Sequence, residues 1–107
     1  MTIQDAVKYL VNNGLIAEAI NNETQISGGT ALVPLGDITG VRNAFTIYRD
    51  QNHWVVYLPA LYKDLREESL LAAVQTVIEL TEPLLHQEDN LGSQSESDLP
   101  SGTDSVA

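Results

Sequence analysis

The feature that most constrains this chain is a pair of β-prone segments joined by a short polar turn. Residues 41–49 and 53–58 are rich in Val, Ile, Tyr, Phe and Trp, and Asp50-Gln51-Asn52 separates them. β-Branched and aromatic side chains fit the half-buried surface of a sheet, and a short polar connection is typical of a tight hairpin. The sequence therefore predicts an antiparallel hairpin in the middle of the chain.

A two-residue loop at Gln51-Asn52 would fix the register of this hairpin. One face is then apolar apart from Arg49 and joins these opposed residues: Arg49 with Trp54, Ile47 with Val56, and Phe45 with Leu58. The other face is amphipathic and joins Tyr48 with Val55 and Thr46 with Tyr57. Because side chains alternate between faces, a slip of one residue would mix the two sets, so the pattern supports this register.

Two amphipathic stretches flank the hairpin and predict helices. In residues 2–12, Thr2 with Asp5 three positions later favours a capped start, and an apolar stripe follows: Ile3, Val7, Leu10 and Val11. Asn12-Asn13-Gly14 is a C-cap signal, after which residues 15–20 resume a helical spacing. This predicts two short N-terminal helices at an angle, or one helix broken near Gly14.

The second stretch, residues 64–82, predicts a long C-terminal helix. Asp64, three residues before Glu67, suits its N-terminus, and a broad apolar stripe follows: Leu70, Leu71, Val74, Val77, Ile78 and Leu85. We expect Leu71, Val74 and Ile78 in the core. Pro83 ends or kinks the helix, because proline lacks a backbone donor and disfavours the helical conformation at the preceding residue.

The remaining segment before the hairpin contributes one further strand. Residues 30–35 predict this strand, which Pro34 restricts to a sheet edge or to the strand end, and residues 36–40 predict a loop. The chain is therefore expected to be an α+β fold with N-terminal helical segments, a three-stranded antiparallel sheet and a C-terminal helix. The simplest packing places the helices on one sheet face and leaves the other partly open.

The composition changes abruptly after residue 87. Residues 88–107 carry five acidic and no basic side chains, and residues 92–107 include five serines and no aromatic residue. Such a segment buries too little apolar surface to offset its ordering entropy. We predict one domain over residues 1–87 and a disordered, acidic, Ser-rich tail over residues 88–107. The tail is interpreted as a solvated terminus, with a phosphorylatable or nucleic-acid-mimicking arm as the alternative.

Charge and cysteine content restrict the function classes. Fifteen acidic residues against five basic ones give a net charge of -10. An acidic protein repels phosphate backbones and anionic lipids, so we predict neither a nucleic-acid partner nor a membrane partner. The chain has no cysteine, which suits a reducing compartment. Because no signal peptide or bilayer-spanning apolar run is visible, the expected location is the cytoplasm.

The chain shows no catalytic or metal-binding signature. His53 lies beside Asp50 near the hairpin turn, but a hydrolase also needs a nucleophile and an oxyanion hole, so we interpret His53 as solvent-facing. His86 suits a helix end, where a cation is favourable. Zinc needs closely spaced Cys or His ligands, and the sequence has no such pair. Neither Asp37 nor Asp50 belongs to the ligand pattern of a calcium-binding loop. We therefore expect no metal, no cofactor and no enzymatic activity.

Two weaker motifs favour ordinary structure over function. Ser27-Gly28-Gly29-Thr30 has the outline of a phosphate-binding loop, but a strand is predicted to follow it where a helix is required, which indicates a turn. Residues 7–20 have the outline of a helix-turn-helix, but Lys8 is the only basic residue nearby to contact phosphate.

The strongest candidate site is the amphipathic face of the hairpin together with its turn end. Tyrosine, tryptophan and arginine are the residue types that anchor protein interfaces. The predicted partner-binding residues are Thr46, Tyr48, Arg49, Trp54, Val55 and Tyr57. The alternative is that another element of the chain covers this face, or that its tyrosines are simply half-exposed strand residues.

Three functions are compatible with these observations. The leading hypothesis is a non-catalytic protein-interaction or regulatory module, which uses the open sheet face for a protein partner or for a homodimer. The second is a small-molecule-binding protein or minor enzyme with a pocket between the sheet and the helices. The third is an acidic inhibitor or immunity-type protein that neutralises a basic partner.

Overall fold

Two helices frame a run of β-strands in the computed structural model, which describes the backbone of residues 1–94 and the side chains of residues 1–85. Helix α1 spans Ile3–Asn12 and helix α2 spans Leu70–Gln94. The strands within residues 1–94 are β1 (Ile16–Ile20), β2 (Gln25–Gly29), β3 (Ala31–Leu35), β4 (Ile38–Arg42), β5 (Phe45–Asp50), β6 (His53–Leu58) and β7 (Lys63–Glu67). One turn of 3₁₀ helix, Pro59–Leu61, links β6 to β7.

The strands form two separate antiparallel sheets. The main sheet has five strands in the order β1-β2-β5-β6-β7, and β3 and β4 form a two-stranded hairpin inserted between β2 and β5. Each strand of the main sheet therefore pairs with its neighbour in sequence, apart from this one insertion. The α+β class and the two terminal helices are confirmed, whereas the expected three-stranded sheet is wrong.

The core lies between the main sheet and both helices. Its buried side chains come from α1, from the connection after it, from the strands and from α2: Ala6, Leu10, Leu15, Ile26, Phe45, Ile47, Val56, Leu58, Leu70, Ala73, Val74 and Val77. The predicted register of β5 and β6, including its two-residue turn, is confirmed for the pairs Thr46–Tyr57, Ile47–Val56, Tyr48–Val55 and Arg49–Trp54. As expected, this register directs the apolar set of the hairpin, such as Ile47 and Val56, into the core.

The start of α1 is the capping box that the sequence predicts. The Thr2 hydroxyl accepts the backbone N–H of Asp5 at 3.0 Å, and the Asp5 carboxylate accepts the backbone N–H of Thr2 at 3.1 Å. The hydrogen bond from the Thr2 backbone lowers the pKa of Asp5 below its ordinary value of 3.8. The helix ends at Asn12, and Gly14 takes a positive φ of 90° just beyond it.

Residues 15–20 do not form the second helix that their spacing predicts. Residues 16–20 are strand β1, which pairs with β2 from Ile16 opposite Gly29 to Ile20 opposite Gln25. A five-residue segment with four apolar residues around Glu18 fits either periodicity, and here pairing with β2 selects the strand. This also removes the second helix of the helix-turn-helix outline.

The C-terminal helix begins later than the sequence predicts. Residues 63–67 are the edge strand β7, and the Ser69 hydroxyl, in place of Asp64, caps α2 by accepting the N–H of Ala72 at 3.0 Å. The helix continues through Pro83, so Pro83 does not end it, and the alternative of a kink there stays a prediction. Val74 is fully buried and Ile78 packs against the core, but Leu71 is 44% exposed and is not a core residue.

The segment between α1 and the β5–β6 hairpin contains three strands more than predicted, namely β1, β2 and β4. β3 matches the expected strand, but residues 36–40 are not a loop, because Ile38–Arg42 pairs with Ala31–Leu35 through a turn at Gly36-Asp37. Gly36 has a positive φ of 67°. Glycine at the first central position with this φ is the signature of a type II′ hairpin turn.

The predicted tail falls mostly on residues 95–107, which lie outside the described residues. Helix α2 extends to Gln94, so it enters the segment that the sequence assigns to the tail. In the described part of the chain, neither helix combines the length and apolar character needed to cross a bilayer.

Candidate functional site

The main sheet has a second face that points away from both helices, called here the outer face. Its positions follow from the alternation of side chains along the paired strands. They are Ile16, Glu18 and Ile20 on β1, Gln25, Ser27 and Gly29 on β2, Thr46, Tyr48 and Asp50 on β5, His53, Val55 and Tyr57 on β6, and Asp64 and Arg66 on β7. The helices in residues 1–94 pack on the opposite face.

The centre of the outer face is apolar and aromatic. Val55 is only 1% exposed although it does not belong to the core cluster between sheet and helices. Val55 lies opposite Tyr48 of β5 on one side and opposite Arg66 of β7 on the other. Tyr57, one pair further along β6, is 47% exposed. The face thus combines a close-packed centre with accessible aromatic surface beside it.

The charges on the outer face are mainly negative. Arg66 binds Asp50 through Nη2 and Oδ2 at 2.9 Å, so this cation is matched within the face. Glu18 and Asp64 are exposed and complete a set of three carboxylates against one guanidinium. Lys63 pairs with the core residue Leu58, so its position does not belong to the outer face. The surface therefore favours positively charged ligands.

A cleft adjoins this face where β6 turns into β7. It has a volume of about 430 Å³ and is lined by Tyr57, Pro59, Tyr62, Lys63 and Asp64. Tyr62 is 96% exposed and has a left-handed backbone with φ 56°, which bulky residues rarely adopt. The sequence did not single out Tyr62, because neither its exposure nor its left-handed φ is encoded in a periodic pattern.

The six predicted partner-binding residues divide between the two faces. Thr46, Tyr48, Val55 and Tyr57 share the outer face. Arg49 and Trp54 lie opposite each other on the helix side, where Trp54 packs against the core. The Arg49 guanidinium carbon is 5.8 Å from the Trp54 ring centroid, and Arg49 Nε donates to the Gln51 carbonyl at 3.0 Å. Their mutual stacking therefore stabilises the turn end of the hairpin.

The other residues considered from the sequence have ordinary structural surroundings. His53 is exposed at the end of β6 opposite Asp50, whose carboxylate is bound by Arg66. The His86 side chain lies outside the described residues. The glycines of residues 27–30 belong to strand β2 and not to a turn, and a Cβ at Gly28 would overlap the carbonyl oxygen of Ile16. Among the described residues, no group of three or more His, Cys, Asp or Glu is placed to hold a metal ion.

Comparison with known proteins gives no match: no family model, curated protein or solved structure is significantly similar to this chain. The case for a function therefore rests on the geometry and chemistry of the outer face.

Proposed function

We propose that this protein is a non-catalytic interaction module whose outer face binds a separate protein. The observation that carries the proposal is the tyrosine-flanked, buried Val55 on a sheet face that lies opposite both helices. A side chain buried outside the core marks a well-packed apolar centre, and exposed tyrosine beside it supplies amphipathic contact area. We place this activity in the cytoplasm, since a small domain without cysteine suits a reducing compartment.

The charge of the face points to a basic partner. Glu18, Asp50 and Asp64 outnumber Arg66 on the outer face, and residues 1–87 carry ten acidic and five basic side chains, a net charge of -5. Two copies that met through this face would bring like charges together, which opposes association. A separate partner with Lys or Arg around an apolar centre is the better fit. An inhibitor of a basic protein is one form of this proposal.

The space between sheet and helices gives less support to a small-molecule site. Core side chains such as Phe45, Ile47 and Val74 fill that space and are almost fully buried. The cleft of about 430 Å³ lies instead on the outer side, beside Tyr57 and Tyr62. We therefore assign this cleft to the protein-binding surface, where it would accept a side chain of the partner.

The test is affinity capture from lysate of the source cells, followed by reconstitution with the purified captured protein. The bait variant Tyr48→Lys/Tyr57→Lys changes the outer face without touching the core. It should remain folded and lose binding at least tenfold, because it removes both aromatic anchors and adds charge that repels a basic partner. Binding of the unmodified chain should weaken as salt is raised.

The matched control is Tyr9→Lys, which makes the same change at an exposed tyrosine on α1. It should bind like the unmodified chain. If the control loses the partner and the double variant retains it, the binding surface lies on the helix side and the proposal is wrong. If the double variant unfolds, the tyrosines belong to the structure of the monomer and not to an interface.

A further inference from the structure

The β3–β4 hairpin carries a second exposed surface, which is separate from the outer face of the main sheet. Its large apolar side chains are exposed on both of its faces: Leu32, Leu35, Ile38 and Val41, with Ile38 at 68%. Charge is nearly absent between residues 31 and 42, where Asp37 lies at the turn and Arg42 at the base. A neutral surface of this kind does not oppose self-association in the way that the acidic outer face does.

One edge of this hairpin is open to pairing. The Arg42 carbonyl accepts the backbone N–H of Thr30 at 2.8 Å, so it points toward the β3 side of β4. Backbone groups of successive strand residues point to alternate sides, so Thr39 and Val41 direct their N–H and C=O groups away from β3. Within the described residues, no hydrogen bond outside the β3–β4 pairing uses these backbone groups. β4 therefore presents an edge with two residues ready to pair.

The opposite edge is blocked. By the same alternation, Leu32 and Pro34 are the β3 residues that point outward, because each lies between residues that face β4. Proline has no backbone N–H, and natural sheets use it to prevent edge pairing. Any assembly through this hairpin can therefore add a strand at β4 and not at β3.

We propose that two copies of this chain associate by antiparallel pairing of β4 with β4, with the two-fold axis at Gly40. In that register Thr39 pairs with Val41 of the second copy and Val41 with its Thr39, which gives four backbone hydrogen bonds across the axis. The resulting four-stranded sheet ends in Pro34 at both outer edges, so assembly stops at the dimer.

The charges near the ends of β4 do not oppose this pairing. Antiparallel pairing about Gly40 places Ile38 opposite Arg42 and Asp37 opposite Asn43 of the second copy, so no two like charges face each other. A glycine on the axis suits the non-hydrogen-bonded pair, where the two Cα atoms approach to roughly 4.5 Å. This dimer does not use the outer face of either copy, so the dimer can be tested independently of the proposed protein partner.

Sedimentation equilibrium of the full chain tests the proposal. The unmodified chain should have twice its monomer mass of 11.7 kDa. Thr39→Pro removes an outward N–H from β4 and should halve the observed mass. Leu32→Pro, the matched control, removes an outward N–H from the blocked β3 edge and should remain dimeric. A monomeric unmodified chain, or a dimer that survives Thr39→Pro, would overturn the proposal.

Crosslinking gives a test that does not depend on proline being tolerated. The chain has no cysteine, so a single introduced thiol gives an unambiguous result. Gly40→Cys places two thiols beside each other on the axis, within the Cα separation that a disulfide accepts, and should form a dimer rapidly on mild oxidation. Leu35→Cys, away from the axis, should crosslink at least tenfold more slowly. Equal rates would contradict the β4–β4 register.

Discussion

The main sheet and the β3–β4 hairpin are built from similar β-prone residues, yet their apolar side chains have opposite environments. In the main sheet the alternation of β5 and β6 directs one set of side chains under the helices, where Ile47 and Val56 are fully buried. In the hairpin no comparable layer within residues 1–94 covers Leu32 or Ile38, which remain largely exposed. Strand pairing alone therefore does not create a core, because a second layer must cover the strands.

The largest effect is expected where the main sheet meets α2. Val74 is fully buried, so Val74→Asp would place an unpaired carboxylate in the core and should destabilise the protein by about 3–5 kcal/mol or unfold it. Leu71→Asp is the matched control, since Leu71 on the same helix is exposed, and it should cost less than about 1 kcal/mol. Urea denaturation followed by circular dichroism measures both. Equal losses would contradict the packing of α2.

A smaller loss of stability is expected when one glycine in each sheet is replaced by alanine, and the loss should differ between the two sheets. A methyl group at Gly28 in the main sheet would overlap the backbone carbonyl of Ile16, so Gly28→Ala should cost about 1–3 kcal/mol. A methyl group at Gly40 in the hairpin would meet the flexible side chains of Leu35 and Val33, which can move aside. Gly40→Ala should therefore cost less than Gly28→Ala in the same denaturation experiment. The reverse order would mean that the hairpin is the more tightly packed sheet.

The smallest effect concerns the cap of α1, one of the helices that cover the main sheet. The pKa of Asp5 is lowered by the backbone N–H of Thr2, so this interaction stabilises the folded state above the ordinary value of 3.8 and is lost as the pH falls through the lowered value. Asp5→Asn should lower the melting temperature slightly at pH 7. The difference should shrink in melts recorded well below pH 3.8. A difference that grew in acid would contradict the capping box.

The sequence predicted the β5–β6 hairpin well because both of its faces are defined. Apolar and amphipathic residues alternate without interruption from Phe45 to Leu58, and only one register separates them. The same alternation placed Tyr48 and Tyr57 together on the side away from the helices. The part of the outer face that this hairpin contributes was therefore predictable from local pattern alone.

The edge strands were not predictable in this way. In β1, Ala17 and Ala19 lie on the helix side of the sheet, opposite Gly28 and Ile26 of β2. Because alanine is small, its alternation with the other residues of β1 gives only a weak period-two signal. In β7, Leu65 is the one apolar residue among four charged ones. Charged residues protect an exposed sheet edge from pairing, but the same composition is also typical of the start of a helix. Only long-range pairing with β2 and β6 identifies these segments as strands.

The central claim is that the outer face binds a partner, and the methyl NMR signals of two valines test it most directly. Val55 lies in the outer face and Val11 lies exposed on α1. When the purified partner is added to chain labelled at valine methyl groups, we expect the Val55 signals to shift or broaden and the Val11 signals to stay unchanged. Perturbation of Val11 with an unchanged Val55 would contradict the account, because the partner would then bind the helices.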